Sequence, residues 1–461
     1  MAVAAAATGV TRRLAERVLA VDLERLEPGT VEHAKQAVLD ALGSAIRARF
    51  ETATSAAIHR AVTQLGARGA CTAVGYGALF APQYAALLNA CNIHVLDFDD
   101  THERASLHPG APVIGAALAT AERVRASGPA LLAAIVAGYD VAVRAGLAAL
   151  PHVHYARGFH PSATAGVFGA TAAVAHLHGD AAATLESAFG INLSQTAGSV
   201  QFSVDGAQTK PVQVGFAAQN AIVARELAAA GIRGPGEAFE GRSGFLQAYS
   251  DGADAAELLE RWDGVHEIDR TAFKPYPCCR YMHAAIDQLA AIVRERGLEP
   301  RAIRHIHISL PAAGMRLCAW PEDVKRRPRS IVDAQFSMYY AAAATVAWGG
   351  VRWDDYARLD APEIAALIER ITVSEDPDIE ALVPNMAARV EVDAGEVRER
   401  RTARSPRGEP DAPLGWDELI AKFDGLAGIA YGPVRRSRIV ELVRGLGKLG
   451  DVRELTAELG P

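Results

Sequence analysis

The 461-residue chain is poor in cysteine, with only Cys71, Cys91, Cys278, Cys279 and Cys318. Their odd number and wide scatter argue against a disulfide framework and suit a reducing cytoplasm. There is no CxxC pair, no iron–sulfur spacing and no HExxH motif, so neither a metal nor a cofactor is expected. Cys278-Cys279 reads as packing, since no base has an evident claim on either thiol. An excess of positive charge is also missing. The net charge is −7, which argues against nucleic acid as the main partner. No apolar stretch of about 18 residues runs uninterrupted. The best candidate, "PALLAAIVAGYDVAVRAGLAAL", is broken by Asp140 and Arg144, so no membrane span is expected. The N-terminus lacks the pattern of a secretory signal. It reads as a ragged end leading into an amphipathic helix, and a cytoplasmic location is expected.

Half the residues are hydrophobic, and the length suffices for two or three domains. From the start to about residue 265, Ala, Leu and Gly recur at helical spacing, over 34–48, 82–94, 111–126, 129–150, 162–178, 183–195, 211–230 and 254–262. So many small residues predict close helix packing in a buried bundle. Near 266 the texture changes. "RAIRHIHISLP" alternates as a strand, with Ile303, Ile306, Ile308 and Leu310 on one face. A second short strand ends "ALIERITVSED". Residues 388–400 read as a hairpin turning at Ala394-Gly395, and helical patterns lie at 283–296 and 332–347. A polar connector, 402–415, precedes more helix. The expected fold is mainly α: an all-helical domain, 1–266, with 401–461 packing back on it, and a smaller α+β domain, 267–400.

One polar stretch interrupts the apolar helices, "HVLDFDDTHERASLHPGAP", residues 94–112. Asp99, Asp100 and Glu103 read as a solvated loop that caps the next helix, whereas Asp97, between Leu96 and Phe98, suits burial beside a cation as well as it suits solvent. Three helices then begin alike, at His108-Pro109, His160-Pro161 and Lys210-Pro211. Proline fits a first helical turn, where its missing N–H costs nothing. A basic side chain there sits beside unpaired N–H groups that attract anions and keep imidazole neutral. If the three starts converge, they make a pocket for a substrate with several carboxylates. Taken singly, each X-Pro marks no more than a helix start. Lys274, Arg280 and His283, in "FKPYPCCRYMHAAIDQL", add two cations and a donor.

Several stretches in order along residues 90 to 425 are similar to the MmgE/PrpD family. They include "HVLDFDDTHERASLHPGAPVIGAALATAE", "GFHPSATAGVFGATAAVAHLHG", "DGAQTKPVQVGFAAQNAIVA", "KPYPCCRYMHAAID", "DAQFSMYYAAAA" and "SPRGEPDAPLGWDELIAKF". That family holds 2-methylcitrate dehydratases, cis-aconitate decarboxylases and iminodisuccinate epimerases. The resemblance implies a helical domain with an α+β lid, a homodimer, and metal-independent chemistry on small polycarboxylates between the domains. Carried over by motif, it implies active-site positions at Asp97, Thr101, His108, His160, Lys210 and Tyr340, with Tyr339 adjacent.

The shared step is proton transfer at a carbon beside a carboxylate, where developing negative charge needs cations and oriented donors. His160 is the leading acid or base and His108 its counterpart. Lys210 holds a substrate carboxylate, with Arg280, Lys274 and His283 as further binding candidates. Asp97 orients a neighbour, Thr101 hydrogen-bonds substrate, and Tyr340 is a candidate proton donor. A 2-methylcitrate dehydratase-like hydro-lyase is the leading expectation, with decarboxylation or epimerisation of a polycarboxylate beside it. A non-catalytic carboxylate-binding scaffold is the rival. It accounts for the helices but not for the recurring basic-Pro starts.

Overall fold

The computed structural model describes residues 9–460 except 252, 261, 263 and 264, and gives no side chains for 204 and 205. The expected ragged end, 1–8, lies outside the described residues. The chain divides into two compact units, 1–271 with 415–461, and 272–414. These borders differ from 266/267 and 400/401 for a local reason. The Glu267 N–H donates to Asp140 in the first unit. Phe273 N–H donates to the Gly408 carbonyl, and Arg280 reaches Glu409, so the polar connector joins the second.

Helix makes up 60% of the chain and strand 9%, which makes the fold mainly α. In the first unit, Pro82–His94, Gly110–Val124, Gly128–Ala148, Gly166–His178 and Thr209–Ala229 pack on one another. Small residues set their spacing. A Cβ on Gly115 would lie 2.8 Å from the Ala90 backbone nitrogen. One on Gly215 would run into the Cys91 sulfur. These two notches hold the second half of Pro82–His94 against the second turns of Gly110–Val124 and Thr209–Ala229. His94, His108 and Lys210 are therefore brought to one end of the bundle. The first helix, Val10–Leu19, is amphipathic, burying Leu14, Ala15 and Val18. Gly128–Ala148 is long and apolar enough to cross a membrane, and 89% of its most apolar window is buried inside the protein. Asp140 and Arg144 stay buried within it, bonded to the segment that follows residue 259.

Some expected helices are shorter or broken. Residues 162–178 divide at Ala165 into Pro161–Thr164 and Gly166–His178. Residues 254–262 hold the 3-10 turn Ala255–Leu259, with 261 outside the described residues. A short antiparallel ribbon, Arg68–Thr72 with Leu79–Phe80, interrupts the helices.

In the second unit the strand order is Ile371–Glu375, His305–Leu310, Ala388–Ala394, Val397–Ala403. The first pair is parallel and the others antiparallel. Ile306, Ile308 and Leu310 alternate onto the buried face. Ile303 precedes the strand and has the wrong parity for that face, a correction to the expected pattern. The hairpin turns where expected, with Gly395 at φ +82° and its N–H donating to the Asp393 carboxylate. Helix 332–347 is two, Ile331–Gln335 and Met338–Trp348, because the Ser337 hydroxyl accepts from Tyr340 N–H and caps a new start.

Candidate active site

The three basic-Pro segments do begin helices, at Gly110, Pro161 and Thr209, and their basic side chains converge. Lys210 falls inside the first turn rather than before it. The chain leaves Pro82–His94 through Asp97, whose φ of +51° is rare for a residue with a side chain. That turn sends Asp97 one way and Asp99 another. Lys210 Nζ donates to Asp97 Oδ1 at 2.7 Å, and His108 Nε2 lies 3.6 Å from the same oxygen. Asp99 Oδ2 is 2.8 Å from His94 Nδ1, and its Oδ1 is 3.3 Å from His108 Nδ1. The His94 ring meets His108 edge-on at 4.7 Å between centroids and stacks on His160 at 5.9 Å. Three imidazoles, two carboxylates and an ammonium thus share one buried cluster.

The solvated-loop reading of Asp99 and Asp100 is overturned, since they are 1% and 3% exposed. Its capping half stands for Asp100, which accepts from Gly110 N–H at the start of the next helix and from the Tyr139 hydroxyl. Glu103 is partly buried. Thr101 Oγ1 is buried and has no hydrogen-bond partner among the described residues. It is a donor left open beside the cluster's own loop. His102 belongs to a different network. Its Nδ1 accepts from Ala105 N–H, and its Nε2 faces buried Glu267, whose carboxyl it and Arg144 hold down to about 2 against burial.

The protonation pattern follows from geometry. Gln213 donates its amide N–H to the Ser199 carbonyl at 2.9 Å, which leaves Oε1 facing His160 Nδ1, also at 2.9 Å. An oxygen accepts, so this network assigns the His160 proton to Nδ1 and leaves the Nε2 lone pair free. Burial, then the charges of His94 and Lys210, drive His160 well below the ordinary histidine range. His160 is therefore a neutral imidazole at pH 7. Burial likewise pushes His108 down to about 4, against the pull of Asp99. Burial opposes the Lys210 charge, but Asp97 outweighs it and holds the ammonium above its usual range. Burial also opposes ionisation of Asp99, and His94 and His108 overcome it, so that carboxyl lies well below the carboxylate range.

The remaining sequence candidates lie in the second unit. Tyr340 is fully buried, its ring stacked on Tyr356 and its hydroxyl donated to the Asp355 carbonyl at 3.0 Å. Tyr339 is buried under the Arg326 guanidinium. Arg280 is committed to Glu409 at 2.6 and 2.9 Å, to His283 Nδ1 and to the Arg407 carbonyl. His283 Nε2 then donates to the Cys278 carbonyl. Lys274 is buried. Within this unit Arg280 and His283 brace one another rather than stand open.

Sequence reasoning gave no role to His94 and Gln213, and read Asp99 as a solvated capping residue. His94 had a signal, being the last residue of an apolar helix that enters the polar stretch. Gln213 lies three residues beyond Lys210, on the same face of the helix start. His94, Asp99 and His108 also place ligand-type atoms within 4.8 Å of one another, the group among the described residues with spacing for a metal ion. In this structure the carboxylate of that group is hydrogen-bonded to His94 Nδ1 and faces His108 Nδ1.

The MmgE/PrpD N-terminal domain matches residues 12–258 and the MmgE/PrpD C-terminal domain residues 276–447, so the chain belongs to the MmgE/PrpD family. Cis-aconitate decarboxylase of Aspergillus terreus is 28% identical over 98% of this chain and 96% of its own length. A cis-aconitate decarboxylase-like protein of Aspergillus oryzae is 28% identical over 97% and 96%. Human cis-aconitate decarboxylase is 27% identical over 64% and 62%. With such relatives the chain is a lyase of this family.

Proposed function

We propose that the protein decarboxylates a small unsaturated tricarboxylate of the cis-aconitate type. The expectation of a dehydratase rested on the family as a whole, and the full-length likeness to decarboxylases favours this reaction instead. The observation that carries the reading is the cluster itself: one paired ammonium beside the neutral imidazoles of His108 and His160 in a buried place, suited to an anion that must take up a proton. In such a substrate one carboxylate sits on a saturated carbon next to the double bond. When carbon dioxide leaves, the electron pair of the broken bond spreads over three carbons onto a remaining carboxylate. A proton added at the far carbon shifts the double bond and leaves a methylidene dicarboxylate. Each turnover consumes one proton.

The proton reaches the cluster with the substrate. Bound carboxylates stabilise imidazolium and counter the burial that keeps His108 and His160 neutral in the empty site. Lys210 holds a substrate carboxylate and Thr101 donates its open hydroxyl to another. Purified protein incubated with cis-aconitate is expected to release carbon dioxide and yield the methylidene diacid, followed by NMR. Turnover of 2-methylcitrate to an enoate with none on cis-aconitate would move the assignment to the dehydratases.

The reaction as proposed needs no metal, because protons and cations already balance the charge that develops. Dialysis against EDTA is expected to leave kcat and KM unchanged. Loss of activity restored by one divalent ion would instead assign the triad of His94, Asp99 and His108 as its ligands.

A homodimer completes the reading. The helix Thr209–Ala229 carries Phe216, Val223 and Leu227 along one side, each more than 40% exposed. Phe216 also lines a cleft of about 400 Å³ with Gln195, Gln213 and Asn220. A second copy of this chain is the occupant proposed for that stripe. Sedimentation is expected to give a dimer at micromolar concentration, and Phe216→Glu with Val223→Glu a monomer. A monomeric parent protein would count against the interface.

A further inference from the structure

The motif "WDELIAKF" is not absorbed by the cluster, yet it ends beside it. Lys422 belongs to helix Trp416–Ala427, near the end of the chain, which packs on Pro28–Glu51. Its side chain is only 7% exposed, and Asp40, which it pairs with at 2.6 Å, is 1% exposed. A lysine whose sole task was to pair with Asp40 would need no more. Lys422 Nζ also donates to the Phe98 carbonyl at 2.7 Å and lies 3.8 Å from the centre of the Phe98 ring.

Phe98 separates the two carboxylates of the site. Its carbonyl belongs to the peptide that leads into Asp99, and the preceding residue is Asp97 in its left-handed conformation. The loop has other anchors. Asp97 N–H donates to the His94 carbonyl, and Asp100 is held by Gly110 and Tyr139. Lys422 anchors the peptide between the two functional side chains. We infer that Lys422 is a positioning residue, which by holding the Phe98 carbonyl orients Asp97 toward Lys210 and Asp99 toward His94 and His108. The C-terminal segment thereby completes the site. This inference rests on the reading of that cluster as the reaction centre.

Three variants test it: Lys422→Arg, Lys422→Met, and Asp40→Asn with Lys422→Met. The double variant removes a buried pair without stranding a charge or changing the net charge, so it separates positioning from stability. Expected on cis-aconitate is a kcat loss of about 10- to 100-fold in both methionine variants, the scale of a displaced catalytic group. KM should move far less, and Lys422→Arg, which still offers an N–H to the carbonyl, should recover most of the rate. Histidine NMR on the unliganded protein supplies a readout independent of turnover. The titration of His108 should shift in the double variant. A double variant with wild-type kcat and unchanged histidine titration would overturn the inference and leave Lys422 a structural pair. His160→Ala run alongside separates the two claims. If it keeps full activity the reaction centre is misplaced, while the histidine titration still decides whether Lys422 orients Asp99.

Discussion

His160→Ala is expected to lower kcat by about 100- to 10,000-fold, the usual worth of one positioned proton-transfer group. The size follows from how narrowly the residue is specified. Its Nδ1–H is spent on Gln213, whose own amide is fixed by the Ser199 carbonyl, so a single nitrogen faces the reaction. Its backbone N–H donates to the Gly198 carbonyl, and its ring stacks on His94, which leaves little freedom to misplace that nitrogen. Alanine removes the proton carrier and leaves Gln213 Oε1 without its donor. Leaving that oxygen unpaired costs about 1–3 kcal/mol, so the melting temperature should fall by a few degrees. Steady-state kinetics and a thermal melt on the same preparation check both halves. A packing role would give the reverse, a clearly lower melting temperature with near-normal turnover. Loss of kcat with KM little changed is the signature of an interaction made in the transition state.

The sequence made the outer frame of this site legible because helix starts are local events. Proline after a basic residue marks the neighbourhood of a helix start to within a turn, so His108, His160 and Lys210 could be found one by one. Their convergence was not legible. It depends on Gly115 against Ala90 and Gly215 against Cys91, close approaches between helices far apart in sequence. Asp99 was misjudged for a related reason. A cluster of carboxylates in a loop reads as solvated, and only the two imidazoles that meet Asp99 make its burial tolerable. His94 and Asp97 lie three residues apart, but the left-handed turn at Asp97 sends them to different partners, which no periodic pattern signals. In the second unit the alternation of His305–Leu310 and the glycine turn at 395 were plain. The break at Ser337 was not, because a capping hydroxyl interrupts a run that is otherwise uniformly helical in composition.

The same burial that keeps the imidazoles neutral should make the fold sensitive to acid. His33, His108 and His154 are each pushed down to about 4, by burial above all. His154 shows the structural form of this. Its Nε2 meets the Thr164 hydroxyl at 2.7 Å and its Nδ1 the Tyr249 carbonyl at 3.2 Å, so both nitrogens serve the fold. An unfolded chain protonates these histidines near pH 6.5, whereas the native state resists until about 4. Between those values the unfolded state binds more protons, so stability rises with pH. The contribution is complete above pH 6.5 and is lost as pH falls toward 4. A shift of that size corresponds to roughly 3 kcal/mol for each group, and three such groups rival the whole stability of an ordinary domain. His160 adds to the effect in the same direction. The buried carboxyls held low, Asp99 and Glu267, act only below about pH 4.5, so they do not explain a loss in this window. Denaturant melts at intervals from pH 7.5 to 4.5 should show a steep fall in the midpoint that begins near pH 6.5. His154→Gln keeps a donor and an acceptor but does not titrate, and should lower the slope by about one proton. A midpoint flat across this range would mean that the native state takes up protons as readily as the unfolded chain, and burial would then not hold His108 and His160 neutral below pH 6.5.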